Sequence, residues 1–198
     1  YTQMLNSDSG TESDLTITRL GEEEFMAITS PTSHNKDFYW IKNNSTEYVD
    51  LQIDDITEKF GCLSIMGPKS RNLLQRITDE DVSNNTFPFG HSIKAQILNA
   101  ECQINRITYV GELGYEIYIP MGDVEVVFDL IYCEGKNYNL SLAGYHALNS
   151  LRMEKGYLHW GHDITIEEDP YEAGVGFCVN LKKPKKFLGQ EKLEEKLK

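Results

Sequence analysis

Two carboxylates stand at positions where chemistry is one of the possible readings. Asp14 lies in a stretch, residues 14–20 (DLTITRL), whose polar and apolar residues alternate, and Glu116 lies between Tyr115 and Ile117 in an otherwise apolar run. Asp14 reads either as a turn or cap residue facing water, or as a carboxylate aimed into a pocket to stabilise a cationic intermediate or handle a proton. Glu116 reads either as the solvated face of a strand or as an acceptor for a ligand that offers paired N–H donors. The residue types alone leave both pairs of readings open.

Other groups carry weaker signals. The GELG turn, residues 111–114, lacks the following helix and lysine that make a phosphate-cradling loop specific. His159, His162 and Asp163, in HWGHD, are ligand types, but their spacing matches no zinc pattern, so no metal is expected. The cysteines, Cys62, Cys102, Cys133 and Cys178, are scattered without a CxxC pair, which fits a reducing compartment. No Ser-His-Asp or Cys-His arrangement is legible, and no GxGxxG nucleotide motif is present.

The elements that must position Asp14 and Glu116 follow from periodicity. Residues 6–10 (NSDSG) form a turn that places Asp14 at a strand start, with Asp14, Thr16 and Thr18 on one face. An acidic turn at 21–24 closes a hairpin onto a strand at 25–29. A second pattern begins near Ile53: a strand (CLSIM), a helix started by Gly67-Pro68 with Leu73, Leu74 and Ile77 inward, then strands at 92–98, 103–110 and 115–119. Val124, Val127, Phe128 and Ile131 form one helical stripe. A further helix spans 142–155 and stops at Gly156. These elements predict an α+β protein with a ferredoxin-like unit.

Bulk properties narrow the partners. The 198 residues, 40% hydrophobic, suffice for one sizeable core or two small ones. A net charge of −12 disfavours phosphate backbones, so no nucleic-acid partner is expected, although local donors can still hold a small anion. No apolar run reaches the roughly 20 residues needed to span a bilayer. Tyr1 has no initiator Met before it and the chain stops inside a Lys/Glu run, so both ends read as cut from something longer.

Six motifs in order, YTQMLNSDSGTESDLTITRL, IMGPKSRNLLQ, DVSNNTFPF, YVGELGYEIYIP, AGYHALNSLRMEKGYLHWGHDI and DPYEAGVGFCVNLKKPKKFLG, resemble the aminomethyltransferase family. That family comprises the T-protein of glycine cleavage and its flavoprotein relatives. The likeness covers essentially the whole chain. The ESDL form, the YVGELGYE form and the EKGYLHW run are most similar to sarcosine dehydrogenase, with dimethylglycine dehydrogenase and the phosphatase regulatory homologue next.

The resemblance implies a cloverleaf folate-binding fold. Residues 1–51 would be the second half of its first subdomain, 52–140 the ferredoxin-like second subdomain, 141–185 the return to the first, and 186–198 a truncated linker towards a missing barrel. Asp14 falls on the family's catalytic aspartate and Glu116 on the glutamate that grips the pterin of tetrahydrofolate; Tyr109 and Tyr1 match pocket positions. Leu148 stands where the T-protein has an arginine, which favours the dehydrogenase branch over the stand-alone transferase. Lys155-Gly156-Tyr157 lacks the cysteine of a third, tRNA-modifying relative. The implied activity is capture of the one-carbon unit of an N-methylamine as 5,10-methylenetetrahydrofolate, with FAD confined to a flavin domain outside this chain. The alternatives are the stand-alone aminomethyltransferase and a non-catalytic folate-binding domain. The implied compartment is the mitochondrial matrix or a bacterial cytoplasm.

Overall fold

The computed structural model describes all 198 residues and divides into two units, Tyr1–Asp55 with Leu158–Lys198, and Ile56–Tyr157. The α+β class is observed: each unit is built on its own antiparallel sheet.

In the first unit, strands β1 (Thr2–Leu5), β2 (Thr11–Arg19) and β3 (Phe25–Ile28) pair in that order. The turn before β2 is built by Asn6, whose side-chain oxygen accepts from the backbone N–H of Asp8 and Gly10 at 3.0 and 2.9 Å. Because β2 begins at Thr11, Asp14 sits within the strand and not at its start. The later stretch of the unit crosses this turn closely. Thr11 N–H donates to Glu168 O at 2.9 Å, and a Cβ on Gly10 would stand 1.8 Å from Ile166 O, so only glycine permits that approach.

The sequence pattern does not announce β1, helix α1 (His34–Asn43) or a short terminal helix, Gln190–Lys196. The terminal helix occupies the segment expected as linker, and it buries Leu193 completely.

The second unit places β4 (Phe60–Met66), β7 (Gly114–Pro120), β6 (Ala100–Asn105) and β5 (Ser92–Ile97) side by side in that order. Helices α2 (Ser70–Ile77) and α3 (Val124–Gly135) pack on each other and on β7. The unit has ferredoxin-like ingredients, four antiparallel strands and two helices. Its connectivity runs β-α-β-β-β-α, whereas a ferredoxin-like unit runs β-α-β-β-α-β. The core holds Leu73, Leu74, Ile77, Ile104, Tyr115, Ile117, Ile119 and Val127, all within this unit.

Strand β6 ends at Asn105, short of the expected 110, because residues 106–113 form a loop. Helix α4 (Tyr145–Glu154) ends as expected: Gly156 has φ +71°, and Tyr157 N–H reaches back to Arg152 O at 2.9 Å. It groups with the second unit, so the return to the first begins at Leu158. Local ties explain the grouping. Tyr157 stacks near Tyr109, and the Lys155 stem lies over Gly111.

Candidate functional site

Strand β2 carries Asp14 opposite Gln3 of β1. Its carboxylate is half-buried and accepts a 3.3 Å hydrogen bond from the Tyr1 hydroxyl, and it forms no ion pair. Tyr1 in turn stacks on Phe177, with ring centroids 6.1 Å apart. Burial pushes the Asp14 carboxyl above the usual aspartate value; the Tyr1 hydrogen bond and the His159 charge oppose the rise, and the nearby Asp37 carboxylate adds to it. Asp14 is therefore a poorly solvated carboxylate without a cation of its own, the kind of group that stabilises a positive charge arriving with a ligand.

Beneath this strand lies a buried polar network that the sequence did not reveal. Asp37, only 1% exposed, accepts from Ser13 Oγ at 2.7 Å and from Thr29 Oγ1, and pairs with Lys36 Nζ at 2.9 Å. The Lys36 ammonium sits 4.3 Å from the Trp160 ring centroid, and Trp160 Nε1 donates to Thr11 O at 2.8 Å. Residues 11–13, immediately before Asp14, are thus fixed on both sides. Asp37→Ala should cost about 3 kcal/mol, the low end for breaking a buried charge pair, because Lys36 is exposed enough to rehydrate. Urea unfolding of the intact protein checks this; a loss below about 1 kcal/mol would mean that the network contributes little.

Glu116 lies on β7 of the second unit. The alternation of the strand sends Tyr115, Ile117 and Ile119 into the core and Glu116 and Tyr118 to the opposite face. The register sets Ser64 of β4 and Asn105 of β6 on either side of Glu116, and Ser92 of β5 beyond Asn105. A polar row thus crosses all four strands on the face away from the core. Glu116 is half-buried, and Tyr118 Oη donates to its Oε2 at 2.5 Å. Burial raises the Glu116 carboxyl above the ordinary glutamate value, and the Tyr118 hydrogen bond partly offsets this. Oε1 accepts nothing from the protein, so it remains open to a donor.

The other expected residues divide between the two units. Tyr1 meets Asp14 in the first unit, and Tyr109 lies in the 106–113 loop of the second, near-parallel to Tyr157 at 6.4 Å. Leu148 is half-buried on α4. His159 and His162 lie ring against ring at 4.9 Å, with the His159 backbone N–H bound to Asp163 Oδ2 at 2.9 Å. No three His, Cys, Asp or Glu side chains converge as a metal site. Because the HWGHD spacing matches no zinc pattern, metal analysis of the purified protein is expected to find no stoichiometric zinc or iron; metal lost on replacing either histidine would contradict this.

The family model described as GCVT N-terminal domain matches residues 1–183, so the chain belongs to that family of aminomethyltransferase-type domains. It is 41% identical to 4-methylaminobutanoate oxidase (formaldehyde-forming) of Paenarthrobacter nicotinovorans and 35% identical to mitochondrial sarcosine dehydrogenase of Homo sapiens. Each alignment covers 98% of this chain and 23% of the relative. It is 34% identical to an aminomethyltransferase of Caldanaerobacter subterraneus subsp. tengcongensis, over 98% of this chain and 51% of that one. The fold matches glycine cleavage system aminomethyltransferase T from Bartonella henselae, with a TM-score of 0.81 at 24% identity, over 98% of this chain and 51% of the other. The chain spans about a quarter of the oxidase and dehydrogenase relatives and about half of the transferase. No helix is long and apolar enough to cross a membrane.

Proposed function

We propose that this chain is the tetrahydrofolate-binding, one-carbon transfer domain of an enzyme that oxidises an N-methylamine such as sarcosine or dimethylglycine. The observation that carries the proposal is the open Oε1 of Glu116. A half-buried carboxylate, held by one hydroxyl and paired with no cation, suits the adjacent N–H groups of a pterin. The reading of Glu116 as a folate acceptor rests on that open oxygen, and the catalytic reading of Asp14 rests separately on its own half-buried carboxylate, which has no cation beside it.

When bound, tetrahydrofolate supplies N5 as the acceptor of the one-carbon unit. Glu116 holds the pterin edge, and Tyr109 of the same unit offers an aromatic face for packing a flat group. Asp14, once ionised, stabilises the positive charge that develops on the transferred carbon, and the Tyr1 hydroxyl orients that carboxylate. The oxidation is assigned to a flavin domain elsewhere in the longer protein. Mitochondrial matrix or bacterial cytoplasm is the proposed compartment.

Two observations favour a methylamine dehydrogenase over a stand-alone transferase. The relatives at 41% and 35% identity are named for methylated amines, and Leu148 supplies no cation on α4 for an aminomethyl carrier. Incubating the intact protein with sarcosine, dimethylglycine or 4-methylaminobutanoate and an electron-accepting dye tests this. Reduction of the dye by one of them is expected. Inertness towards all three, together with aminomethyl transfer from a lipoyl carrier protein, would select the transferase reading.

A further inference from the structure

The polar row across the second sheet contains one charged group, Glu116, and the protein touches that group at one point. Ser64 faces it from β4 and Asn105 from β6, yet neither bonds to it; Asn105 accepts instead from the Ser92 hydroxyl. The single hydrogen bond comes from Tyr118, two residues on along the same strand face. The Tyr118 hydroxyl donates to Oε2, and a hydroxyl donor favours the ionised form of the carboxylate it meets. Tyr118 is itself 5% exposed, so its ring has little freedom to leave.

A carboxylate on three rotatable bonds needs something to fix its plane before it can meet two N–H groups at once. We propose that Tyr118 is the positioning residue of the ligand-binding carboxylate: its hydroxyl occupies Oε2, fixes the plane of Glu116, and presents Oε1 and the remaining lone pairs to a planar heterocycle with adjacent N–H donors. This rests on the reading of Glu116 as a ligand acceptor. The hydroxyl also biases protonation. Neutral Ser64 and Asn105 flank Glu116, and Cys62 and Gln103 flank Tyr118, so the Tyr118 hydrogen bond is what favours the ionised carboxylate against burial.

The test is calorimetric titration of the intact protein with tetrahydrofolate under anaerobic conditions, between pH 5 and 8, on wild type, Tyr118→Phe, Glu116→Ala and the double variant. Removing one oxygen should weaken binding about tenfold and move the pH midpoint of binding upwards, because Glu116 loses the group that favours its charge. In the Glu116→Ala background, Tyr118→Phe should have no further effect. Weaker binding by Glu116→Ala with unchanged affinity and midpoint in Tyr118→Phe would overturn the role of Tyr118 alone. Equal, additive losses in both backgrounds would also overturn it, because they would mark a packing role. If Glu116→Ala binds as wild type does, the acceptor reading falls and the positioning role falls with it.

Discussion

Asp14→Asn should reduce formation of 5,10-methylenetetrahydrofolate by about 10²-fold, the scale of losing one preorganised electrostatic group, while folate affinity changes by no more than about twofold. The variant keeps the size of the side chain and can still meet the Tyr1 hydroxyl, so what it removes is charge. Amine oxidation should survive, and the one-carbon unit should leave as formaldehyde. The same substitution should make the protein more resistant to heat at neutral pH. The Asp14 carboxyl is raised in the folded chain, so the native state binds its proton more tightly than the unfolded chain does. Its ionisation therefore costs stability above the folded pKa, and that cost disappears below the unfolded value. A melting series from pH 3 to 8 should show the gap between wild type and variant opening as pH rises. A variant that makes methylenetetrahydrofolate at the wild-type rate would reduce Asp14 to a strand residue.

Glu116→Ala should weaken tetrahydrofolate binding by about 2 kcal/mol, or about thirtyfold, the scale of losing charge-assisted hydrogen bonds in a partly dry site. The pH dependence has a definite sign. Only the ionised carboxylate accepts from two N–H groups, so affinity should be full at high pH and fall as pH drops through the Glu116 pKa. Burial raises that pKa, and the midpoint should lie above that of an ordinary glutamate. A midpoint at or below the ordinary value would show that the bound carboxylate is not Glu116.

What was legible in the sequence depended on regular spacing. The stripe on α3 and the alternation along β7 announce their elements because one face of each is apolar, and Glu116 was conspicuous as the acidic residue of that strand. Helix α1 escaped because its fully buried side chain is Asp37, not an apolar stripe. The terminal helix is hidden in the sequence because Leu193 is the one apolar residue in QEKLEEK, and the other buried side chain, Gln190, is polar. The network around Asp37 could not be read at all, since Ser13, Thr29, Lys36 and Trp160 are ordinary residue types brought together only by folding. Tyr118 is different. Its position two residues from Glu116 in a strand already put both on one face, and that spacing was the signal available. The roles proposed for Asp14, Glu116, Tyr1 and Tyr109 rest on the family resemblance, because their residue types alone leave the solvated reading open.

The fate of the one-carbon unit separates a folate-dependent capture domain from one that leaves the carbon to escape as formaldehyde. The decisive measurement uses the intact protein with sarcosine or dimethylglycine, with and without tetrahydrofolate, and quantifies formaldehyde and 5,10-methylenetetrahydrofolate together. In a folate-dependent capture role, tetrahydrofolate should divert the carbon, with methylenetetrahydrofolate rising as formaldehyde falls, and Asp14→Asn should cut the diversion about 10²-fold without slowing amine oxidation. Formaldehyde released in equal amounts with and without tetrahydrofolate would contradict that role.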